Sequence, residues 1–158
     1  MKIAIIYSSM SASKNTESVA QYIHKELEDS ELHLVEHFSL EALPMYDAII
    51  IGTYTWGNGE IPQEMQPVYD AFLKQDLSHI VTGVFGTGDT FYPRFCGAVD
   101  VFKDLLAEKT NLAVTLKVEL YPQSKDIQKT KLFAEKIKQR LKGVKHAYSH
   151  IDRSKKGF

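Results

Sequence analysis

Cysteine is almost missing from this chain: Cys96 is the only one in 158 residues. A lone thiol excludes an internal disulfide framework and every zinc or iron–sulfur centre built from several cysteines. Long apolar runs are missing too. The first, at residues 3–7, falls far short of the roughly 18 residues of a membrane span and is too short and too early for a signal peptide. The expectation is a cytoplasmic chain without a membrane anchor. Net charge is also nearly absent, with 19 Lys and Arg against 20 Asp and Glu, so a general nucleic-acid-binding role has little support. What charge there is lies unevenly: residues 142–158 carry five basic side chains against Asp152 alone, which makes a basic tail on a mildly acidic body. The six histidines are scattered, and only His33 with His37 and His146 with His150 stand four apart. The first pair falls on an expected strand and the second outside any apolar helix, so no metal site is expected.

The residues that are present describe one domain, with 44% hydrophobic and 25% charged. Lys2-Ile3-Ala4-Ile5-Ile6-Tyr7 is a nearly continuous apolar run, as in a parallel strand covered on both faces. From Asn15, a candidate helix cap, the spacing becomes helical through Val19, Ile23 and Leu27. The alternation then repeats. Strands are expected at 32–38, 47–53, 80–85 and 112–120, with helices marked by Met65, Val68 and Phe72, by Val99, Phe102 and Leu106, and by Phe133, Ile137 and Leu141. Pro62 can begin the second helix, and Pro44 favours a loop over 38–47. Five strands alternating with helices predict an α/β domain over 1–141, an open parallel sheet wound by helices on both faces. Residues 142–158 lack apolar periodicity and are expected to be a peripheral or partly disordered tail.

Ligands of such sheets bind beyond the carboxyl ends of the strands, where the strand order reverses. Three loops there are rich in chemistry. The first, Ser8-Ser9-Met10-Ser11-Ala12-Ser13-Lys14-Asn15-Thr16, places hydroxyls and free amides before a helix, which reads as a phosphate cradle or as an ordinary polar turn. It has no glycine, so it is neither a dinucleotide fingerprint nor a nucleotide-triphosphate loop. The second, Thr53-Tyr54-Thr55-Trp56-Gly57-Asn58-Gly59-Glu60, sets the only tryptophan beside permissive backbone, suited to stacking on a flat ligand or to covering the sheet end. The third runs from Gly86-Thr87-Gly88-Asp89 through Tyr92 and Arg94 to Phe95-Cys96-Gly97-Ala98-Val99-Asp100 and again gathers glycines, one carboxylate and aromatics. Together they describe a slot for a planar ring with a phosphate tail.

Tyr54-Thr55-Trp56-Gly57 together with Gly86-Thr87-Gly88-Asp89, Tyr92 and Phe95-Cys96-Gly97-Ala98-Val99-Asp100 resembles the flavodoxins, and the passage from the fifth strand straight into the last helix is similar to the short-chain group. The family is itself the standing example of ligand binding at such a switch, and the resemblance implies a flavodoxin-like sheet of order 2-1-3-4-5 and non-covalently bound flavin mononucleotide (FMN). It further implies that Ser9, Ser11, Asn15 and Thr16 hold the phosphate, within a loop that also includes Met10, Ala12, Ser13 and Lys14. Trp56 and Tyr92 would sandwich the ring, and Asp89 would meet its pyrimidine edge. The carbonyl of Gly57 would turn toward flavin N5 after one-electron reduction. Thr53, Tyr54, Thr55, Asn58, Gly59, Gly86, Thr87, Gly88 and Phe95 complete the expected cofactor site, with Cys96 packed beside the ring.

Two features depart from the family pattern. Ala12-Ser13-Lys14 stands where relatives commonly have one glycine, and Asn58 replaces a common acidic residue. The expected function is a low-potential electron carrier, not an enzyme, working as a monomer between an NAD(P)H-dependent flavodoxin/ferredoxin reductase and acceptor oxidoreductases. The longer phosphate loop motivates an alternative, a flavodoxin-fold binding or regulatory module with weakened FMN binding. A nicotinamide-dependent quinone or nitro reductase ranks last, because no dedicated nicotinamide segment is present. A receiver domain lacks its acidic cluster, since Tyr7-Ser8 follows the first strand.

Overall fold

The computed structural model describes residues 1–10 and 12–156, with 148–156 as helical backbone alone. Five parallel strands, β1 (Ile3–Tyr7), β2 (Ser30–Leu34), β3 (Ala48–Tyr54), β4 (Val81–Gly88) and β5 (Asn111–Glu119), form one sheet in the order β2-β1-β3-β4-β5. Between them run α1 (Asn15–Glu26), α2 (Gln66–Lys74) and α3 (Gly97–Lys109), with short 3-10 turns at Val35–His37, Leu40–Met45 and Gln63–Met65, and α4 (Ser124–Lys156) follows β5. None of these helices is long and apolar enough to cross a membrane.

The apolar runs form strands because both faces of the sheet are covered, and successive side chains point to opposite sides. Ile5, Ile50 and Phe85 join Val19, Ile23, Phe133 and Ile137 under α1 and α4. Ile6, Ile49, Ile51 and Val84 join Phe72, Phe102 and Leu106 under α2, α3 and the 3-10 turns. Each fully buried aliphatic side chain contributes about 1.5–3 kcal/mol, which places most of the stabilisation on the central strands. Two glycines make room for aromatic rings: a methyl group on Gly52 would lie 2.3 Å from Phe85 Cζ, and one on Gly83 would lie 2.8 Å from Phe133 Cζ. The two rings meet edge to face at 6.1 Å.

Two expectations from the local pattern are corrected. The second strand is not 32–38 but Ser30–Leu34; β2 is an edge strand, and its ladder stops where β1 stops, with Tyr7 opposite Leu34. Asn15 does not cap α1. It is the first helical residue, and Lys14 before it turns the chain with φ 52° and no side-chain capping bond. The last helix, which Leu141 lines, extends beyond it: α4 spans Ser124–Lys156, and the partly buried Val144 packs against the same core cluster as Ile137 and Leu141. Gly157 and Phe158, the end of the expected tail, lie outside the described residues.

β1 lies between β2 and β3, and the chain leaves β1 toward one edge of the sheet and β3 toward the other. The loops after these two strands therefore part, and a crevice opens at their carboxyl ends.

Candidate functional site

A cleft of about 470 Å³ occupies that crevice. Its first wall is the loop between β1 and α1. The Lys14 amide donates to the Met10 carbonyl at 3.0 Å and closes the loop into a tight turn before the helix. From this wall Met10, Ser13 and Asn15 line the cleft. Behind them the hydroxyls of Ser8 and Ser9 are buried with no partner among the described residues. An unpaired buried hydroxyl costs about 1–3 kcal/mol, which an acceptor-rich anion removes. Thr16 and Thr87 share one hydrogen bond at 2.8 Å, so one of their two hydroxyl protons remains to donate elsewhere. Neutral donors at the start of a helix suit a phosphate without a basic side chain.

The second wall is the loop between β3 and α2. Trp56 and Glu60 exchange backbone hydrogen bonds, each 2.8 Å, and pinch residues 57–59 into a hairpin tip. The tip needs glycine twice, with φ 51° at Gly57 and 92° at Gly59. A methyl on Gly97 would lie 2.6 Å from Gly59 Cα, so α3 starts directly against the tip. Thr55 Oγ1 accepts the Ala98 amide at 3.2 Å and ties the same loop to the first turn of α3. The Tyr54 hydroxyl donates to Glu64 at 2.6 Å, and burial followed by that carboxylate pushes the phenol well above its ordinary range.

The third wall follows β4. Asp89 folds it: its carboxylate accepts the Phe91 amide at 2.9 Å and its carbonyl accepts the Tyr92 amide at 3.1 Å. Tyr92 and Trp56, 60% and 58% exposed, line the cleft from the two different loops. Large aromatics left half uncovered in one concavity are the surfaces onto which a planar ring stacks. The chain after β5 closes the far end, where Leu120, at φ 54°, donates its amide to Gly88 at 2.8 Å.

Cys96 also reaches the cleft, although it is only 1% exposed and starts α3 with φ 51°. Burial pushes its thiol up to about 12, outweighing the opposing effect of Lys117. A thiol so far from ionising is a packing group and not a nucleophile. The folded chain is expected to resist iodoacetamide at pH 8 and to react fully once unfolded in urea; rapid labelling of the native protein, read by mass, would contradict the burial. Because the neutral form is favoured by folding, this group's contribution to stability is complete below about 9 and is lost as pH rises toward about 12.

Of the expected site residues, the cleft brings together Met10, Ser13 and Asn15, then Tyr54, Thr55, Trp56 and Gly57, then Thr87, Gly88, Asp89, Tyr92 and Cys96. Others do not line it. Thr53 and Gly86 are buried in their strands, Asn58 and Gly59 border an outer groove, and Phe95 packs against the core under α3. Ala12 and Lys14 lie on the outer side of the first loop, and Ser9 and Thr16 sit behind the cleft surface. Ser11 lies outside the described residues. Two lining residues escape the local pattern, Arg94 and Leu120. The only local signal for Arg94 is its place inside the third glycine-aromatic loop.

Comparison with known proteins agrees with this geometry. The flavodoxin family model matches residues 5–133. The chain is 38% identical over 141 residues to "Probable flavodoxin 1" of Bacillus subtilis, covering 84% of this chain and 87% of that one. The crystal structure of oxidised flavodoxin 2 from Bacillus cereus superposes with a TM-score of 0.82 at 39% identity, over 89% of this chain and 99% of that one. A flavodoxin from Streptococcus pneumoniae superposes with a TM-score of 0.83 at 30% identity, over 89% and 99%. With the sheet order, the uninterrupted β5 and the three-loop cleft already in place, these matches make the chain a member of the flavodoxin family, short-chain electron-transfer proteins that bind FMN and are not enzymes.

Proposed function

We propose that this chain binds FMN in the cleft between its three loops and carries electrons in the cytoplasm, as a monomer, from an NAD(P)H-dependent flavodoxin/ferredoxin reductase to acceptor oxidoreductases. The observation that supports this reading is the convergence of Trp56 and Tyr92 on one cleft, with the buried hydroxyls of Ser8 and Ser9, unpartnered among the described residues, behind its first wall at the carboxyl end of β1. Bound FMN supplies the capacity to take and release electrons singly or in pairs. The protein's part is placement. Trp56 and Tyr92 cover the ring faces and keep water away. Ser9, Asn15 and the free proton of the Thr16–Thr87 pair hold the phosphate, and Asp89 shapes the loop that meets the pyrimidine edge. Gly57 has open space where a side chain would begin, so its carbonyl can rotate toward the ring and accept a hydrogen bond there at little steric cost.

A visible absorption spectrum of the purified chain, followed by fluorescence titration of the stripped protein with FMN, tests the reading. A yellow protein that rebinds one equivalent of FMN is expected; a colourless protein that fails to quench FMN fluorescence would overturn it. Lys14 adds a second check. It is exposed and stands in the lengthened part of the phosphate loop. Lys14→Gln is expected to weaken FMN by up to about fivefold, the size of an exposed charge contact, while leaving riboflavin affinity unchanged. Equal effects on the two ligands would show that Lys14 does not act on the phosphate.

A further inference from the structure

Among the described residues, the cleft is lined by two charged side chains, Asp89 and Arg94. The Asp89 carboxylate is already engaged by the Phe91 amide. Arg94 is different: the ion pairs among the described residues are His33–Glu31 and Lys117–Asp100, and its guanidinium belongs to neither. Asp100 borders an outer groove together with Arg94 but is held by Lys117 at 2.8 Å.

The position of Arg94 is constrained by packing. A methyl on Gly59 would lie 2.8 Å from Arg94 Cδ and 3.1 Å from its Cβ, so the aliphatic stem lies along the 57–59 tip. Gly97 presses on the same tip from α3. The stem is thereby held on the ridge between the cleft and the outer groove of about 730 Å³, and the exposed Arg94 lines both. The tip residues 57–59 carry no charge, and Glu60, which follows them, lines the outer groove with Arg94 but not the cleft.

We propose that Arg94 sets how readily the bound flavin accepts its second electron. An electron that enters the ring from a one-electron donor without a proton adds one unit of negative charge to the cleft. A guanidinium cannot lose its own proton to cancel that attraction, which acts across the cleft that Arg94 lines and is moderated by water because Arg94 is exposed. Arg94 therefore favours the two-electron-reduced flavin over the one-electron-reduced flavin. This inference rests on FMN occupying the cleft as proposed above.

The test uses the full chain loaded with FMN, as wild type and as Arg94→Gln, Arg94→Glu and Arg94→Lys. Affinity for oxidised FMN is measured by fluorescence, and both one-electron potentials are measured by spectroelectrochemical titration at low and high salt. Arg94→Gln is expected to lose roughly twofold to fivefold in the preference for the two-electron-reduced flavin, which lowers the second potential at about 59 mV per tenfold. Arg94→Glu lowers it further, Arg94→Lys retains it, and the differences shrink in high salt. A role in packing alone would weaken oxidised FMN without ordering the second potential by charge. A second potential that stays level or rises in both the Gln and Glu variants, with FMN bound, overturns this inference and leaves the carrier function standing. A wild-type chain that takes no FMN overturns the carrier function, and the inference with it.

Discussion

Replacing either Trp56 or Tyr92 with alanine is expected to weaken FMN binding by more than about tenfold. Both rings are more than half exposed in the protein alone and both line the cleft, so each has a free aromatic surface for a ligand to cover. Stacking is worth on the order of 1 kcal/mol beyond area burial, and covering about 50 Å² more of each ring at about 25 cal/mol per Å² adds about another 1 kcal/mol. The sum exceeds the 1.4 kcal/mol that corresponds to a factor of ten. Neither ring supports the core, so far-UV circular dichroism and urea midpoints of the stripped proteins are expected to match the wild type. Calorimetric titration decides the matter: unchanged affinity in both variants would rule out the sandwich.

The largest effect on stability is expected from Phe85→Ala. Phe85 is fully buried in the inner strand β4, meets Phe133 edge to face and fills the space that Gly52 leaves open on β3. Removing so large a side chain from a close-packed interior typically costs about 3–5 kcal/mol, a large share of the roughly 5–15 kcal/mol that holds a domain folded. Urea unfolding is the measurement, and a loss below about 1 kcal/mol would contradict this account of the core. The complementary change checks the shape argument. Gly52→Ala alone drives a methyl into the Phe85 ring, at a cost of about 1–3 kcal/mol. In the Phe85→Ala background the same methyl enters the new cavity, so the double variant is expected to be more stable than the two single losses added together.

The elements that were easiest to read before the structure are the ones whose physics is local. Residues 48–51 announce a strand because each is apolar and three are isoleucine, and all four are completely buried. The spacing of Val19, Ile23 and Leu27 announces a helix for the same reason, since one stripe must face the sheet. Readings failed where a neighbour distant in sequence decides. β2 ends at Leu34 although apolar residues continue at Val35 and Phe38, because an edge strand has no pairing left beyond the end of β1. Asn15 has the chemistry of a helix cap, yet the longer loop brings the chain in through Lys14 in a left-handed conformation and leaves Asn15 inside the first turn.

The site divides along the same line. The three loops were legible because hydroxyls, glycines and aromatics crowd the strand ends, and chemistry of that kind is visible residue by residue. Which of those residues meet was not. Thr16 and Thr87 are 71 positions apart and share a hydrogen bond only because β1 and β4 end on the same edge of the sheet. Arg94 looks like any surface cation in the sequence, and it becomes a wall of the cleft only when Gly97 brings α3 against the 57–59 tip and the tip receives the arginine stem. The sequence alone thus determined the alternation of strands and helices, the family and the loops that carry the chemistry, since apolar periodicity and side-chain type act within a few residues. Tertiary structure alone decided where the edge strand stops, which hydroxyls are left unpaired and which charged residues line the cleft, because burial, pairing and screening depend on groups that only the folded chain brings together.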